Sequence, residues 1–261
     1  MAATEERNDT PPATHDDGGQ ALFACRGVVK SYGHVDALKG VDFSLNRNEV
    51  VGLVGDNGAG KSTLIKIMSG VVQPDRGEFL YEGKQVPLRS RRDSEKLGIE
   101  TIYQDIALVG SMSVMRNIFC GREITDRFGG LRLREMRRIA MDVLEHTVEI
   151  AGITSPDQAV EGLSGGQQQA VAIARAVYFK NKMLLLDEPT SALSVRETEK
   201  VLTYVTQLRA DGVSCVFVTH NLYHAFQVCD RFVVMAHGEV ITNVKREDTT
   251  LEEVTRIIVS Y

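Results

Sequence analysis

The sequence has no apolar run approaching the ~18–20 residues that a membrane-crossing helix needs. We therefore expect a soluble chain that reaches a membrane only by docking on a partner. It opens without a basic segment followed by an apolar core, so no secretory signal is expected. Cysteine is scarce: Cys25, Cys120, Cys215 and Cys229 include no C-x-x-C pair, and no histidine neighbours them at metal-ligand spacing. Cys215 lies in a Val/Phe strand, and Cys229 continues an apolar face with Leu222, Ala225 and Phe226. Buried thiols in a reducing cytoplasm are the expected role. Excess positive charge is also missing. The formal net charge is -5, and residues 1–20 supply -4 of it (Glu5, Glu6, Asp9, Asp16 and Asp17 against Arg7), leaving -1 for the rest. No global basic field exists to draw in nucleic acid. The clusters Arg89, Arg91, Arg92 and Arg132, Arg134, Arg137, Arg138 read as solvated faces. No internal repeat is visible.

What remains is 261 residues, 43% of them hydrophobic, enough for one large α/β domain or a domain with an inserted subdomain. Residues 1–20, polar and carrying Pro11-Pro12 and Gly18-Gly19, are expected to form a disordered acidic tail. Residues 21–90 look strand-rich, with a hairpin around Gly77 to Lys84. Residues 91–162 look mainly helical, because Met136, Ile139, Ala140, Val143, Thr147 and Ile150 recur at helical spacing and form a core-facing stripe. From residue 163 an α/β pattern returns. Met183 to Leu186 and Val216 to Val218 read as buried parallel strands. Val201, Leu202, Val205 and Leu208 mark an amphipathic helix between them. His237-Gly238 joins a β-hairpin, and Thr250 caps a last helix.

Gly55-Asp56-Asn57-Gly58-Ala59-Gly60-Lys61-Ser62 fits the phosphate-loop pattern G-x-x-x-x-G-K-[ST]. The apolar run Val50 to Val54 precedes it, and a helical pattern through Leu64, Ile65 and Met68 follows. Glycines let the backbone turn its N–H groups inward, while the helix aims its positive end at the same point. Lys61 is suited to the β- and γ-phosphates, and the Ser62 hydroxyl to Mg²⁺.

Asp187-Glu188 closes the run Met183 to Leu186, and strand C-termini are where open α/β sheets bind ligands. Asp187 suits Mg²⁺, directly or through water. Glu188 can polarise an attacking water. Leu163-Ser164-Gly165-Gly166-Gln167 is a second Gly-rich turn before a helical pattern, hence a second anion-binding helix N-terminus. One triphosphate does not need two such cradles in one chain.

With both turns in place, the chain resembles the ATP-binding subunits of ABC transporters. Leu163 to Gln167 matches that family's signature motif, and six motifs fall in the expected order over roughly residues 22–245. The resemblance implies an α/β fold: a P-loop NTPase (RecA-like) core with an antiparallel β subdomain and an inserted helical subdomain near residues 105–165, all within 21–261. It implies ATP and Mg²⁺ as ligands. It also implies a head-to-tail homodimer in which Ser164 and Gly166 of one copy face the nucleotide held by Gly55 to Thr63 of the other. By the same resemblance, Tyr32 stacks on adenine, Gln104 senses Mg²⁺ and the attacking water, and His220 contacts the γ-phosphate. Ser194 stands where the family usually has Asp, and Ala170 where Arg often follows the signature glutamines.

Within the family, Tyr103-Gln104-Asp105, Arg116 to Glu123 and Ser191 to Val195 resemble importers of ribose, xylose or fructose, and the single cassette resembles the fructose type. The implied partners are integral membrane permease subunits, with a periplasmic solute-binding protein acting indirectly. The implied location is the cytoplasmic face of the cell membrane. The segment Gln104 to Met115 is expected to border the permease-docking groove, with Phe119 either in that groove or in the core. The alternatives are an ABC ATPase for another solute, an exporter, or a soluble ABC-type ATPase outside any transporter. A P-loop kinase has no use for the second turn.

Overall fold

The computed structural model describes residues 21–103, 107–146, 153, 155–179, 181–191 and 193–261. The expected tail at 1–20, the expected roles of Gln104 and Asp105, and the stripe positions Thr147 and Ile150 lie outside the described residues.

Two sheets organise the chain. Strands β1 (Phe23–Tyr32), β2 (Val35–Leu45), β4 (Arg76–Tyr81) and β5 (Lys84–Gln85) form an antiparallel sheet in the order β2-β1-β4-β5. The second sheet contains β3 (Val50–Val54), β6 (Ile99–Ile102), β7 (Met183–Asp187), β8 (Ser214–Val218), β9 (Arg231–Ala236) and β10 (Glu239–Lys245). Its order is β10-β9-β3-β8-β7-β6, parallel throughout except for the terminal β9–β10 hairpin.

Strands β3, β7 and β8 are buried along their whole length. Covered on both faces, they need continuous apolar sequence instead of an apolar–polar alternation. The period of two survives as a choice between cores. Val51, Leu53, Leu185 and Val216 enter the core shared with the antiparallel sheet and α1 (Lys61–Met68). Val50, Val54, Leu184 and Phe217 enter the opposite core, built with α6 (Val195–Ala210), α7 (Leu222–Val228) and α8 (Leu251–Val259).

A third core lies among α3 (Val114–Phe119), α4 (Leu133–His146) and α5 (Gly165–Tyr178). Met136, Ala140 and Val143 are buried there and Ile139 packs against them, as the helical spacing requires. Phe119 belongs to this core and not to a groove: it is fully buried, with its ring 5.0 Å from that of Tyr178. Removing such a ring costs about 3–5 kcal/mol.

The reading of 91–162 as mainly helical needs one correction. After the short helix α2 (Arg91–Lys96) comes β6, the edge strand paired with β7. Its four residues are too few to show a period. Its buried Glu100 is held by Arg122 at 3.0 Å and Arg91 at 3.3 Å, contacts contributed by other elements. A buried carboxylate in a strand is tolerated only with such partners. Among the cysteines, Cys25, Cys215 and Cys229 are buried as expected, whereas Cys120, which ends α3, is exposed.

Candidate functional site

The register of the parallel sheet assembles the site. Leu53 of β3 pairs with Val218 of β8, and Val218 pairs with Asp187 of β7. The segments that leave these three neighbouring strands therefore emerge side by side. They are the phosphate loop, Thr219-His220 and Asp187-Glu188. This is the carboxyl edge where open α/β sheets take ligands.

The loop wraps into α1 through Gly60, which caps the helix at φ 101°, a left-handed conformation that a side chain would strain. No side chain caps α1. Its first-turn N–H groups are then free of intrahelical partners by the geometry of any α-helix, which makes them anion donors. Lys61 is buried, and its Nζ donates to the carbonyls of Gly55 at 2.7 Å and Asp56 at 2.8 Å. Burial pushes its ammonium below the ordinary lysine range, opposed by the charges of Glu188, Asp56 and Asp187. Asn57, Gly58 and Ser62 are exposed at the loop's mouth, with Ala59 buried beneath it and Thr63 half-buried.

Asp187 is buried, and its carboxyl is raised above the usual range by burial first and the neighbouring Glu188 second. Glu188 sits at φ 50°, an uncommon backbone for a non-glycine residue and one that concentrates at functional sites. Its Oε1 accepts from the His220 backbone N–H at 3.0 Å and from His220 Nδ1 at 2.9 Å. The other oxygen, Glu188 Oε2, and Asp187 Oδ1 are buried with no hydrogen-bond partner. Buried carboxylate oxygens are normally paired. Two such orphans on consecutive residues fit a cation or a polarised water. Among the described residues no cluster of three or more His, Cys, Asp or Glu side chains is arranged to hold a metal. The available set, Ser62 with Asp187, suits Mg²⁺, which keeps several waters and takes phosphate oxygens as ligands.

Tyr32 ends β1 and is exposed, with Lys30 Nζ 5.5 Å from its ring centroid. Its hairpin abuts the phosphate loop: an added Cβ on Gly60 would lie 2.6 Å from the Ala37 carbonyl. Ser164 and Gly166 sit apart from this group, at the N-terminus of α5. Among the described residues their hydrogen bonds run to Gln167, Gln168 and Glu197 and not to the phosphate loop. The structure thus gathers Gly55 to Thr63, Asp187, Glu188 and His220 and leaves the second turn outward.

Sequence reasoning missed two residues. Glu197 joins the second turn to Ser194, and the pattern Ser194-x-x-Glu197 signals it as a capping box. His224 Nδ1 meets Thr190 Oγ1 at 3.1 Å, tying the segment after Glu188 to the segment after His220. No local pattern announces that contact.

Residues 38–191 match the family described as ABC transporter. The chain is 47% identical over 244 residues to the xylose/arabinose import ATP-binding protein of Sulfolobus acidocaldarius, spanning 92% of this chain and 94% of that protein. It is 40% identical to the fructose import ATP-binding protein of Rhizobium meliloti, spanning 90% and 92%. It is 42% identical to the ribose import ATP-binding protein of Chromobacterium violaceum, covering 90% of this chain but 46% of that protein. Among solved structures, an ATP-binding cassette of an ABC transporter in its ADP conformation superposes with TM-score 0.76 at 25% identity, covering 92% of this chain and 99% of that one. A dimeric post-hydrolysis cassette bound to ADP and Pi superposes with TM-score 0.72 at 28% identity, covering 86% and 99%.

Proposed function

The chain belongs to the ABC transporter family as one of its ATPases, and from that premise we propose that it powers uptake of a monosaccharide, fructose or a related sugar. Sugar import is supported by end-to-end similarity to the xylose/arabinose and fructose import proteins. Tyr103-Gln104-Asp105, Arg116 to Glu123 and Ser191 to Val195 support the ribose, xylose or fructose class, and fructose is the finer reading, for which the similarity to the fructose import protein speaks. No helix among the described residues is long and apolar enough to cross a membrane. We assign transport to integral permease subunits and this chain to their cytoplasmic side. A cleft lined by Arg91, Glu100, Tyr103, Leu108 and Arg175 is the proposed docking point.

The observation that carries the mechanism is the Glu188–His220 pair beside Lys61 and Asp187. Tyr32 would stack on the adenine. The first-turn N–H groups of α1 and Lys61 would hold the phosphates. Ser62, Asp187 and Gln104 would hold Mg²⁺, which when bound neutralises charge on the β- and γ-phosphate oxygens. Glu188 Oε2 would accept a hydrogen bond from the attacking water and orient it in line, since Oε1 is committed to His220. His220 holds Glu188 in place through Nδ1–H, and in its imidazolium form it would also donate from Nε2 toward the γ-phosphate. Ser164 and Gly166 of a second copy would complete the site, an assembly that the dimeric cassette resembling this chain makes reasonable. ATP then favours the closed dimer over the open one. That difference in affinity is the free energy available to the permease.

Two experiments test the reading. Glu188→Gln should bind ATP, lose turnover and accumulate as an ATP-bound dimer on gel filtration. A variant that stays monomeric at saturating ATP would remove the composite site. Deleting the gene and measuring labelled uptake across a sugar panel tests the substrate. A fructose-selective defect supports the finer reading, a defect confined to another sugar corrects it, and a defect only in lipid or amino-acid uptake overturns sugar import.

A further inference from the structure

Glu197 lies in the first turn of α6, three residues past the Ser194 that replaces the family's usual aspartate. Its Oε2 accepts from the Ser194 backbone N–H at 3.0 Å and from Ser194 Oγ at 2.8 Å, closing a capping box. Its Oε1 reaches across to the second Gly-rich turn and accepts from Ser164 Oγ at 3.0 Å. The Gly166 backbone N–H donates to the same carboxylate. Gly166 has to be glycine for this, because a Cβ there would fall on the Glu197 carboxylate. The Ser194 hydrogen bonds, then the Ser164 hydroxyl, hold Glu197 below the usual carboxylate range, so it is anionic at neutral pH.

The turn's anion-binding donors are therefore engaged by a carboxylate of the same chain. Ser164 has one hydroxyl proton and cannot donate it to two acceptors at once. A second anion on these donors would also stand within a few ångströms of a like charge. We propose that Glu197 is a built-in competitor of the γ-phosphate: its carboxylate takes the Ser164 and Gly166 donors that the partner copy's nucleotide needs, and closure of the dimer displaces it. This rests on the composite-site reading above.

Displacement changes more than the turn. Glu197 is bonded to Ser194, and the segment leading to Ser194 begins at Glu188, whose carbonyl accepts from Ser191 N–H at 3.2 Å and Ser191 Oγ at 3.1 Å. Arrival of a phosphate on the signature turn of one site is thereby felt by the segment that carries the Glu188 of the other. A carboxylate three residues downstream thus supplies what Ser194, lacking charge, cannot.

The test uses the full chain carrying Glu188→Gln, alone and combined with Glu197→Gln or Glu197→Ala. Gln can still close a capping box, so Glu197→Gln removes the charge and keeps the cap. Thermal melting of each variant checks that the fold is retained. The ATP concentration giving half-maximal dimer, followed by light scattering, should fall about fivefold or more in both double variants, the size of an ordinary coupling between sites. An unchanged or higher ATP requirement in both would make Glu197 a prop of the turn and overturn the proposal. If the Glu188→Gln parent itself fails to dimerise, the composite-site reading fails and takes this proposal with it.

Discussion

Glu188 Oε1 is shared by two donors of one residue, the backbone N–H and the Nδ1–H of His220, at 3.0 and 2.9 Å. The two residues are 32 positions apart in the chain and follow the ends of neighbouring strands. The bond leaves the proton on Nδ1 and turns Nε2 outward. It also leaves Glu188 Oε2 as the only oxygen of that carboxylate without a partner.

His220→Ala removes one of those donors and the outward ring nitrogen. Steady-state phosphate release should fall by about 10²-fold or more, the usual cost of losing one donor that stabilises developing charge. Nucleotide affinity of the monomer should stay within a few-fold. Unchanged turnover would mean that Glu188 is held by its other contacts.

Lys61→Ala removes the one buried ammonium of the phosphate loop. A charged hydrogen bond contributes about 1.5–3 kcal/mol, so ATP affinity should drop by at least about tenfold. Titration with a fluorescent ATP analogue reads this directly, and an unaltered affinity would contradict the assignment of the loop.

Ser164→Arg places a long cationic side chain on the second turn. Monomer binding of ATP should persist, because that turn faces away from the phosphate loop of its own chain. Hydrolysis should be blocked. A variant that turns over normally would show that the turn has no part in the reaction.

His224 gives a pH dependence with a definite sign. The Asn221 Oδ1 accepts the His224 backbone N–H, so its amide NH₂ faces His224 Nε2 at 3.2 Å. Nε2 must then accept, and Nδ1–H donates to Thr190 Oγ1 at 3.1 Å. Burial holds His224 below the ordinary histidine value, with the charge of Glu199 opposing. The folded state thus binds fewer protons than the unfolded chain. Stability is full above the unfolded value of about 6.5 and is lost as pH falls through the folded value. Urea unfolding across this window should show that slope, and His224→Gln should flatten it.

The cysteines separate cleanly. Burial raises the Cys25 and Cys215 thiols to about 12 and pushes Cys229 well up, while Cys120 is exposed. A thiolate reagent at neutral pH should label Cys120 alone in the native protein and all four after unfolding. Native labelling of Cys215 or Cys229 would mean that the core around β8 opens readily.

Features carried by consecutive residues were legible. The strands β3, β7 and β8 announce themselves as short apolar runs, and Thr250 caps α8 through a hydrogen bond to Glu253 N–H, as its position suggested. Strand β6 was not legible, because its four residues draw their support from Arg91 and Arg122 in other segments. Glu197 was written as a capping-box pattern, but its reach to Ser164, 33 residues away, depends on how α5 packs against α6.

The phosphate loop, the second Gly-rich turn and the carboxylate pair are each written in a few consecutive residues. Each is a local device whose function needs only its own backbone turn and the helix or strand beside it. Tertiary structure decided which of them meet. The strand order β3-β8-β7 brings Lys61, His220 and Asp187-Glu188 to one edge, while α5 carries Ser164 and Gly166 outward onto Glu197. Strand order and helix packing are set by burial of apolar faces, a non-directional force summed over the whole core. No short run of residues encodes it.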